Sequence, residues 1–579
     1  MSGRVHGHIS IEGEKKTAID VARTRMMIAM TLFAIGFGVL GVRVVDLGML
    51  QKVVEPRQRV IARHNAFTGR ADVVDRHGRV LATNLATPSL YVNPRQVMDP
   101  MEAAQKLQAV LPELKFRDLL SKMKSGRHFV WIKRKLTPEQ QWKVNRLGLP
   151  GLHFQYEEER FYPQGDLLAH VLGYVDVDGK GLAGIERYYD ERLADPALMA
   201  DPLVLTIDLR VQNIVAMELA KTMQLFSARG AAGLVMDVQT GEVLSLVSLP
   251  SFDPQKPGTA TKDAKFNRAV QGVYELGSGF KAFTVAMALE HDVVDLEGGY
   301  DATEPLKVAR FTINDDHAKE RWLSVPEIFA YSSNIGTAKM AVDVGGDKQR
   351  DFLQKMGLFN RSDIELPEAA HPILPRQWGE VETMTIGYGH GLAVSPLHLV
   401  EGISALSNGG RHISATLIRD EGVDDREARG FSAGEQLTRY LAISQDSTAA
   451  QVISEKTSKT MRQLLRLAVQ HGTGSMADVD GYRVGGKTGT AEKASAGGYR
   501  RKDLLSSFVG VFPVDRPRYA VMAVFDEPRG REETFWNASG GWTAAPTVGE
   551  IVRKIGPLLG IAPREERENP LRQAMLIED

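Results

Sequence analysis

From Met26 to Val42 the chain carries no charged residue: MMIAMTLFAIGFGVLGV. No other feature constrains the fold as strongly, because such a run needs apolar surroundings on every side. At 1.5 Å rise per residue, about 17–20 residues cross a hydrocarbon layer. Arg43 interrupts the run, and Val44 and Val45 precede Asp46. The flank before it holds Arg4, Lys15, Lys16, Arg23 and Arg25, the basic bias that keeps a flank in the cytoplasm. The sequence therefore predicts a cytoplasmic tail at 1–25 and a single transmembrane anchor at 26–45, with the rest of the chain outside. A cleaved signal peptide fits less well, since its apolar region is shorter and RVVDLGML offers no small-x-small cleavage site. A buried core helix fits least, because one with no polar face is rare.

The whole chain is too long for one core: 579 residues give about three or four domains as a soft prior. A net charge of -1 gives no case for a nucleic-acid binder, which should show a basic excess. The chain has no cysteine, which excludes disulfides, thiolate metal sites and a cysteine nucleophile. Its 14 histidines are scattered without metal-binding spacing, so neither metal nor cofactor is expected.

After the anchor, residues 47–65 read as a polar helix or an extended connector. Gly69 to Ala82 alternates apolar and polar residues around Asp75-Arg76-His77-Gly78, which predicts a hairpin. Residues 98–125 have helical spacing, Phe129 to Ile132 reads as a strand, and Thr137-Pro138 opens a helix with a cap and a first-turn proline. Composition shifts near residue 200 at Asp195-Pro196 and Asp201-Pro202, where a domain boundary is expected. Beyond it, Leu203 to Ile207 reads as a strand, Asp208 caps a helix to about Leu225, and Ala232–Val238 and Glu242–Ser248 form a strand pair. Strands return at Leu505–Phe512 and Tyr519–Phe525. The expected fold class is α+β: the anchor, a β-rich pedestal at 46–198, then a domain at 199–565 whose antiparallel sheet is assembled from both sequence ends and flanked by helices. A charged tail follows at 566–579.

Three short motifs stand in one order in the second domain. Ser278-Gly279-Phe280-Lys281 opens the apolar stretch AFTVAMALE. Serine and lysine at i and i+3 share a helical face, so the amine can reach the hydroxyl. A helix start also favours developing negative charge. A serine hydroxyl needs an adjacent base, and a lysine serves only if burial or a nearby cation lowers its pKa. Lys487-Thr488-Gly489-Thr490, on a strand expected from Tyr482, supplies that cation, and Gly489 leaves room for a substrate backbone. Ser332-Ser333-Asn334 offers a hydroxyl to relay a proton and an amide to bind a substrate carbonyl. Each motif alone is weak; Ser121 and Lys124 form a second S-x-x-K, read as a solvated helix face. The order S-x-x-K, S-x-N, K-T-G is far more specific.

With these motifs the chain resembles the class B penicillin-binding proteins, in particular the division-specific, FtsI-like type. The resemblance extends to Arg70–Ala82, Arg160-Phe161-Tyr162-Pro163, His170–Tyr174, Gly184-Ile185-Glu186, Gly387–Gly391 with Ser395-Pro396-Leu397, and Phe508-Val509-Gly510. It implies a penicillin-binding, β-lactamase-like second domain. It implies Ser278 as acylated nucleophile, Lys281 as its base, and Ser332 and Asn334 as proton shuttle and donor holder. Lys487 would tune the electrostatics, Thr488 and Thr490 would bind a terminal carboxylate beside Gly489, and the N–H groups of Ser278 and Thr490 would form the oxyanion hole. The implied activity is serine-type D,D-transpeptidation of peptidoglycan stem peptides during septal wall synthesis at the bacterial inner membrane, with the catalytic domain periplasmic and β-lactams as inhibitors. Implied partners are a SEDS-type, FtsW-like glycan polymerase and other division proteins. An elongation-type transpeptidase and a scaffold that activates a polymerase are the competing expectations. Three positions depart from the family pattern: Gly279 replaces a larger residue, Leu276 a proline, and Ser539-Gly540-Gly541-Trp542 a tyrosine-rich segment.

Overall fold

A computed structural model of the chain describes residues 14–45, 69–308, 311–419, 450–495, 498–565 and 571–572. The expected connector at 47–65 and nearly all of the charged tail lie outside the described residues. Two units are distinguished, Met1–Phe67 and Thr68–Asp579.

The first unit is helix α1, Glu14–Val45, which extends beyond the apolar run at its N-terminal end. Val21–Leu40 is long and apolar enough to cross a membrane, and none of it is buried by protein. Met27, Phe33 and Phe37 all stand exposed on it. Such a helix needs a nonaqueous surrounding, which fits an anchor.

The second unit begins with the pedestal. Strand β1, Val73–Val74, turns back through Asp75–Gly78 into the long β2, Val80–Val92. The Asp75 carboxylate accepts from the N–H groups of His77 and Arg79, which closes the expected turn. The helical stretch after residue 98 is two helices, α2 Pro100–Val110 and α3 Phe116–Met123, because Pro112 cannot continue the first. Then come β3 Val130–Lys133, α4 Pro138–Asn145 and β4 Leu152–Phe161. Thr137 caps α4 in a full capping box with Gln140. β2 pairs with β3 and β4, and the helices bury Leu107, Leu119, Met123 and Val144 against Leu90, Val92 and Ile132.

The expected strand at 203–207 is shorter: β5, Leu203–Val204, pairs in parallel with pedestal strand β1. Ala71, Val73 and Leu81 of the pedestal share one buried cluster with Leu234 and Phe283 of the following domain. A buried carboxylate, Glu186, ties the pedestal base, accepting from Arg70 Nε at 2.9 Å and Arg160 Nε at 2.6 Å.

The second domain is built on a five-stranded antiparallel sheet. Its strands in chain order are β6 Gly230–Asp237, β7 Val243–Leu249, β8 Gly485–Ser495, β9 Gly498–Phe512 and β10 Tyr519–Asp526. Their order across the sheet is β8-β9-β10-β6-β7, so sequence-distant ends meet at the β10–β6 pair. Every residue of β6 and β10 is buried, as expected of strands covered on both faces. Helix α5, Leu209–Leu225, capped by Asp208, covers one face with the C-terminal helix at 544–558. The other face carries α6 Lys281–Glu290, α7 Val325–Tyr331, α8 Asn334–Val344, α9 Pro396–Ser407 and α10 Glu455–Gln470. All twelve residues of α9 are buried, and Ser404 and Ser407 satisfy their hydroxyls on carbonyls one turn back.

Candidate active site

Ser278 lies in a tight helical turn, Gly277–Phe280, that leads directly into α6. The serine thus stands at the start of the helix, as expected, in a tighter turn than an α-helical one. Ser278 is half-buried, and its hydroxyl makes no hydrogen bond among the described residues. The turn is held by close backbone approaches on two sides. Gly277 has φ +56°, and its N–H donates to the Gly389 carbonyl at 3.2 Å. Gly389 has φ +96°, and a Cβ there would stand 1.9 Å from the Gly277 carbonyl oxygen. On the other side, a Cβ on Gly489 would meet the Leu276 oxygen at 2.4 Å and Ser507 Oγ at 2.5 Å. Gly489 is therefore required by the fit of β8 against the turn that carries Ser278, and not only by room for a substrate backbone. Gly540 continues the packing: its N–H donates to Thr490 Oγ1 at 3.0 Å.

Lys281 and Lys487 are both fully buried. The Lys281 amine donates to Ser332 Oγ at 3.0 Å, to Asn334 Oδ1 at 2.6 Å and to the Ser332 carbonyl. Lys487 approaches the same Ser332 Oγ from β8, at 2.9 Å. Lys281 opens α6 directly after the Ser278 turn, and its amine donates to the second motif. Ser332 takes the left-handed conformation, φ +63°, at the end of α7, which aims its carbonyl and hydroxyl at one amine. Such a backbone outlier on a non-glycine residue is common at functional sites.

Burial pushes Lys281 down to about 7, while Asp315 and Asp316 pull the other way. Burial likewise holds Lys487 well below the ordinary lysine range, with the charge of Lys281 adding to it. Burial is thus the leading cause for both amines; the cation expected from Lys487 is not among the causes for Lys281, because Lys487 is itself held low. A lysine near 7 has a free amine at neutral pH and can act as a base.

Two residues at the site carried no readable sequence signal. Asp315, in the loop after the strand Phe311–Ile313, accepts from Ser333 Oγ at 2.7 Å and from the N–H groups of Asn334 and Ile335. The preceding carbonyl, Asn314 O, accepts from Asn334 Nδ2 at 2.7 Å, leaving one amide hydrogen free. Thr473 Oγ1 lies 2.6 Å from Thr488 Oγ1. The other S-x-x-K is elsewhere, with Ser121 and Lys124 exposed on and just after α3.

The chemical capacity of the site is acyl transfer. It has an open serine hydroxyl, two buried amines bridged by a second hydroxyl, and a strand edge flanking the nucleophile for an extended peptide.

The family model described as "Penicillin binding protein transpeptidase domain" matches residues 231–553, and "Penicillin-binding Protein dimerisation domain" matches 66–195. The chain is 40% identical over 507 residues to the probable peptidoglycan D,D-transpeptidase FtsI of Caulobacter vibrioides, covering 86% of this chain and 82% of that one. It is 32% identical to stage V sporulation protein D of Bacillus subtilis, covering 93% and 86%. It is 26% identical to peptidoglycan D,D-transpeptidase FtsI of Escherichia coli, covering 93% and 92%. Among solved structures, penicillin binding protein 3 of Mycobacterium tuberculosis with aztreonam superposes with TM-score 0.65 at 22% identity, covering 86% and 97%.

Proposed function

The chain belongs to the class B penicillin-binding proteins, and on that premise we propose that it is a membrane-anchored peptidoglycan D,D-transpeptidase of the division-specific type. The observation that carries the reading is the Ser332 hydroxyl held between the Lys281 and Lys487 amines, with Lys281 opening the helix that follows the Ser278 turn.

In this reading Ser278 Oγ attacks the D-Ala–D-Ala carbonyl of a stem peptide, and its proton passes to Lys281. Ser332 relays a proton to the departing amine, and D-alanine leaves. The amine of a second stem peptide then attacks the ester carbonyl and forms the crosslink. The bond to Ser278 breaks, and its oxygen regains a proton. The N–H groups of Ser278 and Thr490 bind the oxyanion; each such donor is worth about a hundredfold or more in rate. Thr488 and Thr490 hold the terminal carboxylate beside Gly489, Asn334 holds the donor backbone with its free amide hydrogen, and Lys487 tunes the amine pair. A β-lactam acylates the same serine.

Residues 46–198 serve as the pedestal, 199–565 as the catalytic domain and 566–579 as a tail. The anchor crosses the bacterial inner membrane once, N-terminus inside, as the basic flank favours. A FtsW-like glycan polymerase and other division proteins are the partners this reading assigns.

The test is intact-mass measurement of the full-length chain after incubation with penicillin, with the modified peptide mapped. A single adduct on Ser278, lost in Ser278→Ala, supports the reading. Labelling retained in Ser278→Ala, or rapid turnover of a chromogenic cephalosporin, overturns it.

A further inference from the structure

We propose that Asp315 is the positioning residue of this site: its carboxylate clamps the second motif onto the amine pair and sets the pH at which Ser278 is acylated. The inference rests on the transpeptidase reading and extends it to a residue outside the three motifs.

The geometry is a three-point grip. One carboxylate accepts from Ser333 Oγ at 2.7 Å, Asn334 N at 2.5 Å and Ile335 N at 2.9 Å, at the open end of α8. These are N–H groups that a helix leaves unsatisfied, and an anion is favoured there. The Ser333 hydroxyl also donates its proton outward to Asp315 while its oxygen accepts from Gly336 N at 3.0 Å. Ser332 on one side of the grip and Asn334 within it are the groups that hold Lys281. The adjoining Asn314 carbonyl fixes the Asn334 amide, so that Oδ1 faces the amine and Nδ2 faces away. Moving Asp315 therefore moves every acceptor of Lys281 together.

The charge acts separately from the grip. Around Lys281 stand Lys487 from β8, His390 from the Gly387–Gly391 segment, and Asp315 and Asp316 from the loop. Asp315 is the larger of the two carboxylate influences on Lys281, and both favour the protonated amine. An attacking serine needs the free amine. A neutral side chain at 315 releases that proton at lower pH, so the acid limb of acylation moves down even though a supporting contact has been weakened. Simple damage to the fold lowers the rate at every pH and leaves the limb where it was.

The experiment is the pH profile of penicillin acylation of the full-length chain in detergent, normalised to titratable sites. In Asp315→Asn, and in Asp315→Ser as a second neutral variant, the acid limb moves down by about one pH unit. Just below the wild-type limb, acylation relative to plateau then rises up to about tenfold. Asp315→Glu restores the limb, whatever its plateau. Ser333→Ala, which loses one contact and no charge, lowers the plateau and leaves the limb in place. A limb unmoved in both neutral variants overturns the proposal while leaving the transpeptidase reading intact. Failure of wild-type Ser278 to be acylated overturns that reading itself.

Discussion

Lys281 and Lys487, 206 positions apart in the chain, place their amines 3.0 and 2.9 Å from one oxygen, Ser332 Oγ. An ammonium group only donates, so a hydroxyl meets it only by accepting. Ser332 Oγ accepts from both, or accepts from one and donates to the other once that amine is free. Two buried amines this close disfavour a double positive charge, and in the proposed mechanism the shared hydroxyl is the path by which a proton changes sides.

Ser332→Ala removes that path. Penicillin acylation of Ser278 is expected to fall by about a hundredfold or more, as for loss of other proton-transfer groups. Stopped-flow labelling of the variant measures it. A rate within a few-fold of wild type would exclude Ser332 from proton transfer.

The lowered pKa of Lys281 has a signed consequence for stability. Its amine is at about 7 when folded, against an ordinary value of 10.5. Between these values the unfolded chain binds more protons, so stability rises with pH across this window; below about 7 both states hold the proton and the increment is gone. Thermal unfolding followed from pH 7 to 10 is expected to show a shallower rise in Lys281→Met than in wild type. Acylation has the same origin and falls about tenfold per pH unit below about 7.

Gly489→Ala sets a methyl group against the Leu276 carbonyl and Ser507 Oγ. Relief requires β8 to move off the nucleophile turn, an overpacking cost of about 1–3 kcal/mol. The expected outcome is a modest loss of Tm with a large loss of acylation, read from calorimetry and labelling on one sample.

Gly279→Ala is expected to be mild. Gly279 sits in a helical turn, and its added Cβ meets only the mobile end of Leu399, at 3.1 Å. Stability is expected within about 1 kcal/mol of wild type, since alanine regains helix propensity while Leu399 shifts. Gly279→Val needs Leu399 shortened as well, and the Gly279→Val, Leu399→Ala pair is expected to recover acylation that Gly279→Val alone loses.

In the pedestal, Glu186→Gln leaves Arg70 and Arg160 buried with one carboxylate fewer. A loss of about 3 kcal/mol is expected, because buried Arg160 loses its paired carboxylate charge while Arg70 keeps its pair with Asp190. Denaturant unfolding of the variant checks it.

The apolar N-terminal helix, the hairpin closed by Asp75, the caps Thr137 and Asp208, and the S-x-x-K, S-x-N and K-T-G motifs were all legible in sequence. Each is a local feature: an apolar run, a turn residue, a capping side chain, a spacing of three. Legibility failed where partners are remote. β5 is short because its partner, β1, offers only two residues. Asp315 reaches Ser333 across a loop whose composition carries no mark of it.

The sequence by itself thus determined the three motifs, two of which meet at Ser332, and that a helix long and apolar enough to cross a membrane precedes them. Only the tertiary structure decided what those residues do to one another. It directs the Lys281 amine to Ser332 and Asn334, gives Gly489 its reason in the Leu276 carbonyl, and lowers both lysines by enclosing them. The physical reason is that burial and close approach are set by chain segments far apart in sequence, and neither is written in any one of them.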